Sequence, residues 1–258
     1  MRNIIIAIDG TSASGKGFIS KSISKLLGFS SLDTGSLYRA CTLRVLEKFF
    51  YKNILSDDFE KIESELLQTD IEQLFSKIPQ KDYINEITNF RDKGELYDYT
   101  KNPLIRSQLI SVCVPIIAKI PEIRLLMHDY QVNFAKNNST CGTKLSKINN
   151  VYGCIVEGRD IGTNIFPHAD LKLFITANVE VRAMRRFKDY ETDPNNKITY
   201  DEVLNALRLR DEQDMRRTFR PLKPAVDAII IDTSDMNKEQ VLKFIEQLIQ
   251  DKLGISIN

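Results

Sequence analysis

Gly10, Thr11, Ser12, Ala13, Ser14, Gly15, Lys16 and Gly17 spell G-x-x-x-x-G-K followed by a further glycine. A β-branched run, Ile4 to Ile8, precedes them, and Ile19, Ile23, Leu26 and Leu27 follow at helical spacing. Strand, loop and helix are therefore expected in that order, with the loop closing over an anion. Glycines let the backbone wrap a phosphate, the helix N-terminus adds partial positive charge, and Lys16 reaches the β- and γ-phosphates of a nucleoside triphosphate. Gly17 and Phe18 stand where a Ser or Thr hydroxyl ordinarily meets Mg²⁺. The metal would then rely on water, substrate phosphates and a carboxylate, with Asp33 or Glu157 as candidates. The loop alone does not separate a kinase from a GTPase or a motor ATPase, but the sequence holds no N-K-x-D guanine signature.

Further buried-strand runs cover Gly153 to Val156, Leu171 to Thr176 and Ala228 to Asp232, with a weaker one at Phe29 to Leu32. Helical stripes separate them, such as Val179, Ala183 and Phe187, or Val241, Phe244, Ile245 and Leu248. Thr199 with Glu202, and Asn237 with Gln240, read as helix starts. Five strands alternating with helices predict an α/β fold, a three-layer core around a five-stranded parallel sheet. The 258 residues, 42% of them hydrophobic, supply core enough for one domain.

From about Ile54 to Pro103 the rhythm breaks, and this segment is expected to be an inserted subdomain. Within it, Thr88 to Tyr99 resembles a hairpin turning at Asp92, Lys93 and Gly94. Pro115 and Pro121 punctuate a helical stretch, and Ile123, Met127, Tyr130 and Phe134 mark one face of the next helix. Lys136 to Asn150 reads as an exposed loop. The expected division is a core of about 1–50, 106–187 and 198–258, an insert of about 51–105 and a short lid of about 188–197.

Thirty-six basic and 35 acidic side chains leave a net charge of +1, so no global field recruits nucleic acid or an anionic membrane. The longest apolar stretch, Ile4 to Ile8, is too short to cross a bilayer, and a cytoplasmic monomer is expected. Cys41, Cys113, Cys141 and Cys154 show no C-x-x-C spacing, and with only His128 and His168 beside them they are expected as thiols, not zinc ligands.

Anion binding must then be local. Asp33 to Arg39 follows the second strand, where Thr34 and Arg39 would offer a hydroxyl and a guanidinium to a second substrate's phosphate, although an arginine early in an amphipathic helix is ordinarily a solvated surface residue. Glu157, Gly158, Arg159 and Asp160 lie at the carboxyl end of a strand, where parallel sheets place their ligands, although four such residues also suit an ordinary turn. Arg210, Asp214 and Arg217 are spaced for one helix face, which equally suits a surface ion-pair ladder. Arg182, Arg185 and Arg186 are expected opposite the apolar stripe of their own helix, flanking the polar segment 188–197 as a mobile lid whose arginines clamp transferring phosphates.

Taken together these motifs resemble the bacterial cytidylate kinases of the nucleoside monophosphate kinase group over nearly the whole chain. The resemblance rests on IDGTSASGKG, LDTGSLYR, Arg106 to Gln108, IPEIR around Arg124, EGRDIGTNIFPHADLKLFITA, the R-D-x-x-D-x-x-R from Arg210 to Arg217, and RPLKPAVDAIIIDTS. It implies transfer of the γ-phosphoryl group of ATP, with Mg²⁺, to CMP or dCMP. By similarity Thr34, Arg39 and Arg159 hold the acceptor phosphate, Arg124 and Asp160 read cytosine, and Arg210 and Asp214 lie near the sugar. Lys16, Arg182 and Arg186 are the catalytic candidates, and residues 10–18 the donor-phosphate site. Phe18 stands where the family usually has Thr, and Pro115 where a serine can contact the base. A kinase for another small acceptor, or a regulator that binds nucleotide without turnover, are the rival readings.

Overall fold

A computed structural model describes residues 3–52, 54–55, 59–140, 151–191 and 198–255, with the side chains of 138–140 left aside. The described chain forms two compact units, residues 1–33 with 131–258, and residues 34–130.

The first unit is built on a parallel sheet of order β2-β3-β1-β4-β5, with β1 Asn3–Gly10, β2 Ser30–Asp33, β3 Tyr152–Glu157, β4 Leu171–Thr176 and β5 Ile229–Asp232. All five strands expected from the sequence are present. Strand β1 is central, pairing Ile6 with Ile155 on one side and with Leu171 on the other. Alternation along each strand sends Ile4, Ile6, Ile8, Ile155, Leu171, Leu173, Ile175 and Ile231 to one face. There they pack with Ile19, Ile23 and Leu27 of helix α1 (Lys16–Leu27) and with Val241, Ile245, Ile249 and Leu253 of the last helix, Lys238–Leu253. Ala7, Cys154, Val156 and Phe174, on the opposite face, are buried as well, so the strands read as near-continuous apolar runs.

The second unit is helical. It contains α2 (Thr34–Phe49), α3 (Phe59–Leu67), α4 (Ile71–Ser76), α5 (Gln80–Asp92), α6 (Leu96–Tyr99), a 3₁₀ turn at Pro103–Arg106 and α7 (Gln108–Ala118), before α8 (Pro121–Thr140) begins. Helix α2 packs against α5, α6 and α7. The expected hairpin at Thr88 to Tyr99 is not formed. Tyr83, Ile87 and Phe90 recur at helical spacing and are buried, which keeps the chain helical to Asp92, and Gly94 (φ 77°) serves as the stop between two helices. A ring of polar contacts fastens these helices: Arg44 Nε to Glu86 Oε1 at 2.7 Å, and the Tyr99 hydroxyl donating to Glu47 Oε2 at 2.6 Å. Pro115 lies inside α7 rather than at its end, and Pro121 opens α8, where its missing N–H costs nothing.

The remaining helices of the first unit are α9 (Val179–Tyr190), α10 (Tyr200–Arg216) and α11 (Lys238–Leu253). Both expected capping boxes form, Thr199 with Glu202 on α10 and Asn237 with Gln240 on α11. The loop expected at Lys136 to Asn150 is overturned for 136–140, which continue α8; residues 141–150, Cys141 among them, lie outside the described residues. So do 192–197, most of the expected lid. Cys41, Cys113 and Cys154 are buried free thiols, each pushed up to about 12 by burial. No described helix is long and apolar enough to cross a membrane.

Candidate functional site

Strand β1 delivers its last residue, Gly10, against β4 so closely that a Cβ there would stand 1.9 Å from the Ile175 carbonyl oxygen. Only glycine passes this point. The chain then curls through left-handed conformations at Ala13 (φ 57°) and Gly15 (φ 92°), turning successive amides toward one concavity. Ala13 is not glycine, so this curl stores strain of about 1 kcal/mol. Gly15 caps α1, and Lys16, nearly buried, donates from Nζ to the carbonyls of Gly10 (3.1 Å) and Thr11 (2.6 Å). Two of its three ammonium donors are thereby used to shape the loop. Thr11 Oγ1 is buried with no hydrogen-bond partner among the described residues, a polar atom suited to an incoming anion's shell.

Gly17 opens space where a Walker-type hydroxyl would stand: a Cβ there would lie 3.6 Å from Glu157 Oε1. Glu157 ends β3 directly beside Asp33 at the end of β2. Burial pushes the Glu157 carboxyl well above the usual range, Asp33 adding like-charge repulsion, whereas burial and then Arg159 pull the Lys16 ammonium down. Phe18 is turned to the α1–α11 core, with the Lys238 ammonium 5.6 Å from its ring centroid. The departure at position 18 is thus absorbed by packing.

Next to the loop, three of the expected residues from the acceptor side converge on a fourth, Asp214. Its Oδ2 accepts from Arg159 Nε at 2.9 Å and lies 3.5 Å from Arg210 Nε, while Arg217 Nη1 reaches Oδ1 at 3.4 Å. Arg217 Nη2 lies 3.8 Å from Asp160 Oδ1. Burial alone would raise the Asp214 carboxyl, yet the three guanidiniums hold it below its ordinary value. The surface ion-pair ladder is excluded, because Asp214 is buried and its partners come from two separate segments. Arg217, expected on the helix face, instead follows the end of α10 in extended conformation and donates from Nε to the Arg220 carbonyl at 2.6 Å. Three guanidiniums are thus gathered around two carboxylates at the end of β3 and the end of α10.

Asp9, which sequence reasoning passed over, holds this arrangement from below. Its carboxylate accepts from the Ile161 amide at 2.8 Å and the Gly162 amide at 2.7 Å, fixing the π-helical turn Ile161–Ile165 that starts right after Asp160. Burial pushes its carboxyl up to about 6, against the pull of those two amides. Only its place in the run from Ile4 to Gly10 signalled it, and a carboxylate before a turn is unremarkable in one dimension.

The arginines of α9 correct a further expectation, for they do not share a solvent face. Arg182 is buried, donating from Nε to the Ala177 carbonyl (2.7 Å) and from Nη1 to the Ser12 carbonyl (3.0 Å), and pairing with Asp211 Oδ2 at 2.7 Å. Arg185 donates to the carbonyl of Thr233 at 2.6 Å, beyond β5. Arg186 lies along the surface near Asp189, its guanidinium 4.5 Å from the Tyr190 ring centroid.

Thr34, Arg39 and Arg124 belong to the second unit. Thr34 opens α2. Arg39 Nη1 donates to the Ile105 carbonyl (2.8 Å) and to Ser111 Oγ (2.9 Å), and buried Arg124 donates to the Ala118 carbonyl (3.2 Å) with its guanidinium 5.4 Å from the Tyr38 ring centroid. Arg39 and Arg124 are each held in a defined pose within that unit.

Comparison with known proteins matches this chain to a family. The family model for cytidylate kinase matches residues 6–251. A cytidylate kinase of Fusobacterium nucleatum is 37% identical over 250 residues, covering 97% of this chain and 99% of that protein. Those of Caldicellulosiruptor saccharolyticus and Thermotoga maritima are 35% and 36% identical, covering 98% and 96% of this chain and 99% and 98% of theirs. The phosphate loop, the acidic ends of β2 and β3 and the arginine hub all fall inside the matched span, and the chain belongs to the cytidylate kinase family.

Proposed function

We propose that the protein transfers the γ-phosphoryl group of ATP to CMP or dCMP, releasing ADP and CDP or dCDP. The observation that carries this reading is that the Gly158 amide donates to the Ile8 carbonyl at 2.9 Å, which seats Arg159 and its 2.9 Å contact to Asp214 beside the strand that leads into the phosphate loop: a cradle of backbone amides adjoins a cluster of guanidiniums. Residues 10–18 would hold the donor phosphates. Arg159, Arg210 and Arg217 would hold the acceptor phosphate and sugar alongside Asp214, and Thr34 and Arg39 are the second unit's candidates for acceptor binding.

The attacking oxygen belongs to a phosphate already ionised at neutral pH, so in-line transfer needs no general base and no covalent enzyme intermediate. Catalysis then consists of positioning two polyanions and neutralising charge on the moving group, the task of Lys16 and of the arginines. Asp160 would accept from the exocyclic amine of cytosine, and Arg124 would donate to its O2 and N3. Uracil presents a carbonyl where cytosine has the amine, and an ionised carboxylate repels it.

The residues present also fit Mg²⁺. Glu157 and Asp33 bring two carboxylates to the space left open by Gly17, and they would hold the ion through its water shell. When bound, Mg²⁺ neutralises charge on the donor phosphates. The buried thiols and the absence of a membrane-length helix among the described residues support placement in the cytoplasm, where the enzyme would act as a monomer without nucleic acid. A regulator that binds nucleotide without turnover has no use for so many acceptor-side guanidiniums. Incubation with ATP and CMP should yield ADP and CDP in equal amounts by chromatography; ADP without CDP would reduce the protein to an ATPase and end this reading.

A further inference from the structure

Ser12 sits at the crest of the phosphate loop, immediately before the strained left-handed Ala13, and both its amide and its carbonyl are held by charged side chains. Its amide donates to Asp211 Oδ1 at 3.2 Å, and its carbonyl accepts from Arg182 Nη1 at 3.0 Å. Asp211 Oδ2 and Arg182 Nη1 close the ring at 2.7 Å. Arg182 is pinned a second time, through Nε, by the Ala177 carbonyl. Both side chains are buried, so the pair is little screened by solvent. The apolar side agrees: Ala13 packs against the cluster of Ala183, Val203 and Leu207, with Val179, Phe187 and Tyr200 around it, which is where α9 and α10 meet. The crest of the loop is thus joined to two helices by a charged ring and by a hydrophobic contact, and neither helix contributes to the sheet.

We propose that Asp211 is a positioning residue for the donor nucleotide. Acting through Ser12 and Arg182, its carboxylate keeps the first half of the loop curled for triphosphate and aims the guanidinium of Arg182 along the loop. This rests on the reading of residues 10–18 as the ATP cradle. Strain at Ala13 persists only where neighbours over-determine it, and a carboxylate bound to the preceding amide supplies that constraint. The charge matters as well as the shape. An uncharged amide in place of Asp211 can still accept one hydrogen bond, but leaves Arg182 buried without its counter-ion, free to turn from the Ser12 carbonyl. The clamp lies on the donor side, so its loss should be felt by ATP and not by CMP.

The test compares wild type, Asp211→Asn, Arg182→Gln and the double variant by calorimetric titration with a non-hydrolysable ATP analogue, CMP titration and thermal unfolding. The expected result for Asp211→Asn is a loss of analogue affinity of about tenfold, the scale of one charge-assisted contact. CMP affinity should stay within about twofold and the unfolding midpoint within a few degrees. Arg182→Gln should weaken the analogue similarly, and the double variant no more than the worse single, since the two act as a unit. Unchanged analogue affinity, a parallel loss for CMP with a lowered midpoint, or full additivity in the double variant would each overturn the assignment. Should wild type bind the analogue yet fail to phosphorylate CMP, the proposed function falls while the comparison among variants still decides the role of Asp211.

Discussion

Lys16 and Arg159 are near neighbours that the proposed function assigns to different reactants, and substitution should separate them. Lys16→Met removes the ammonium that shapes the loop and would meet the donor phosphates; turnover should fall by about 10² to 10³, with the fold retained. Arg159→Ala deletes the shortest contact to Asp214, and the KM for CMP should rise by about tenfold or more while that for ATP changes by less than about threefold. Steady-state assays varying each substrate in turn read both effects; equal shifts in the two KM values for Arg159→Ala would put that guanidinium on the wrong side of the reaction. Most of these residue types were legible from one dimension, because glycine, lysine and arginine in fixed spacing carry their chemistry with them. Their partners were not. Nothing in the spacing of Arg210, Asp214 and Arg217 says that Arg159, some fifty positions earlier, completes their cluster, or that Arg182 turns inward to Ser12 instead of outward to a lid.

Elements followed the sequence wherever hydrophobic period and chain punctuation agreed. All five strands, α1 and the two capping boxes of α10 and α11 are of this kind. Thr88 to Tyr99 went the other way because the Asp92, Lys93, Gly94 cue is common to hairpin turns and helix ends, and the burial of Tyr83, Ile87 and Phe90 decided between them. The Asp9 contact is a coupling between elements, from the end of β1 to the turn after β3, and it has a pH signature. Its carboxyl titrates near 3.8 when free and about 6 when folded, with Asp160 pushing it up and Lys16 pulling it down beside the larger effect of burial. Between these values the folded chain holds more protons than the unfolded chain, so this group's contribution to stability falls as pH rises through that window and stays low above it. In Asp9→Asn that component is absent. Urea unfolding of both proteins should therefore show the stability of the variant relative to wild type rising by about 2 kcal/mol from pH 4.5 to 6.5; parallel pH dependences would mean that Asp9 is not held as described.

At the scale of the whole molecule, one unit carries the glycine-lysine loop and the Asp214 hub, and the other carries Arg39 and Arg124 in fixed poses. The family was legible from the order of several short motifs along the chain, each weak alone, and the match over residues 6–251 agrees with it. On the proposed reading, substrate choice would follow from Asp160 accepting from an amine and Arg124 donating to ring acceptors, a pattern that cytosine satisfies and that uracil does not. The most direct measurement is the initial rate of ADP release from ATP with CMP, dCMP, UMP and AMP as acceptors at equal concentration. CMP or dCMP should support turnover at least about tenfold faster than UMP or AMP, the discrimination expected when a buried polar group loses its partner. Equal rates with UMP or AMP, or ADP release indifferent to any acceptor, would contradict the account.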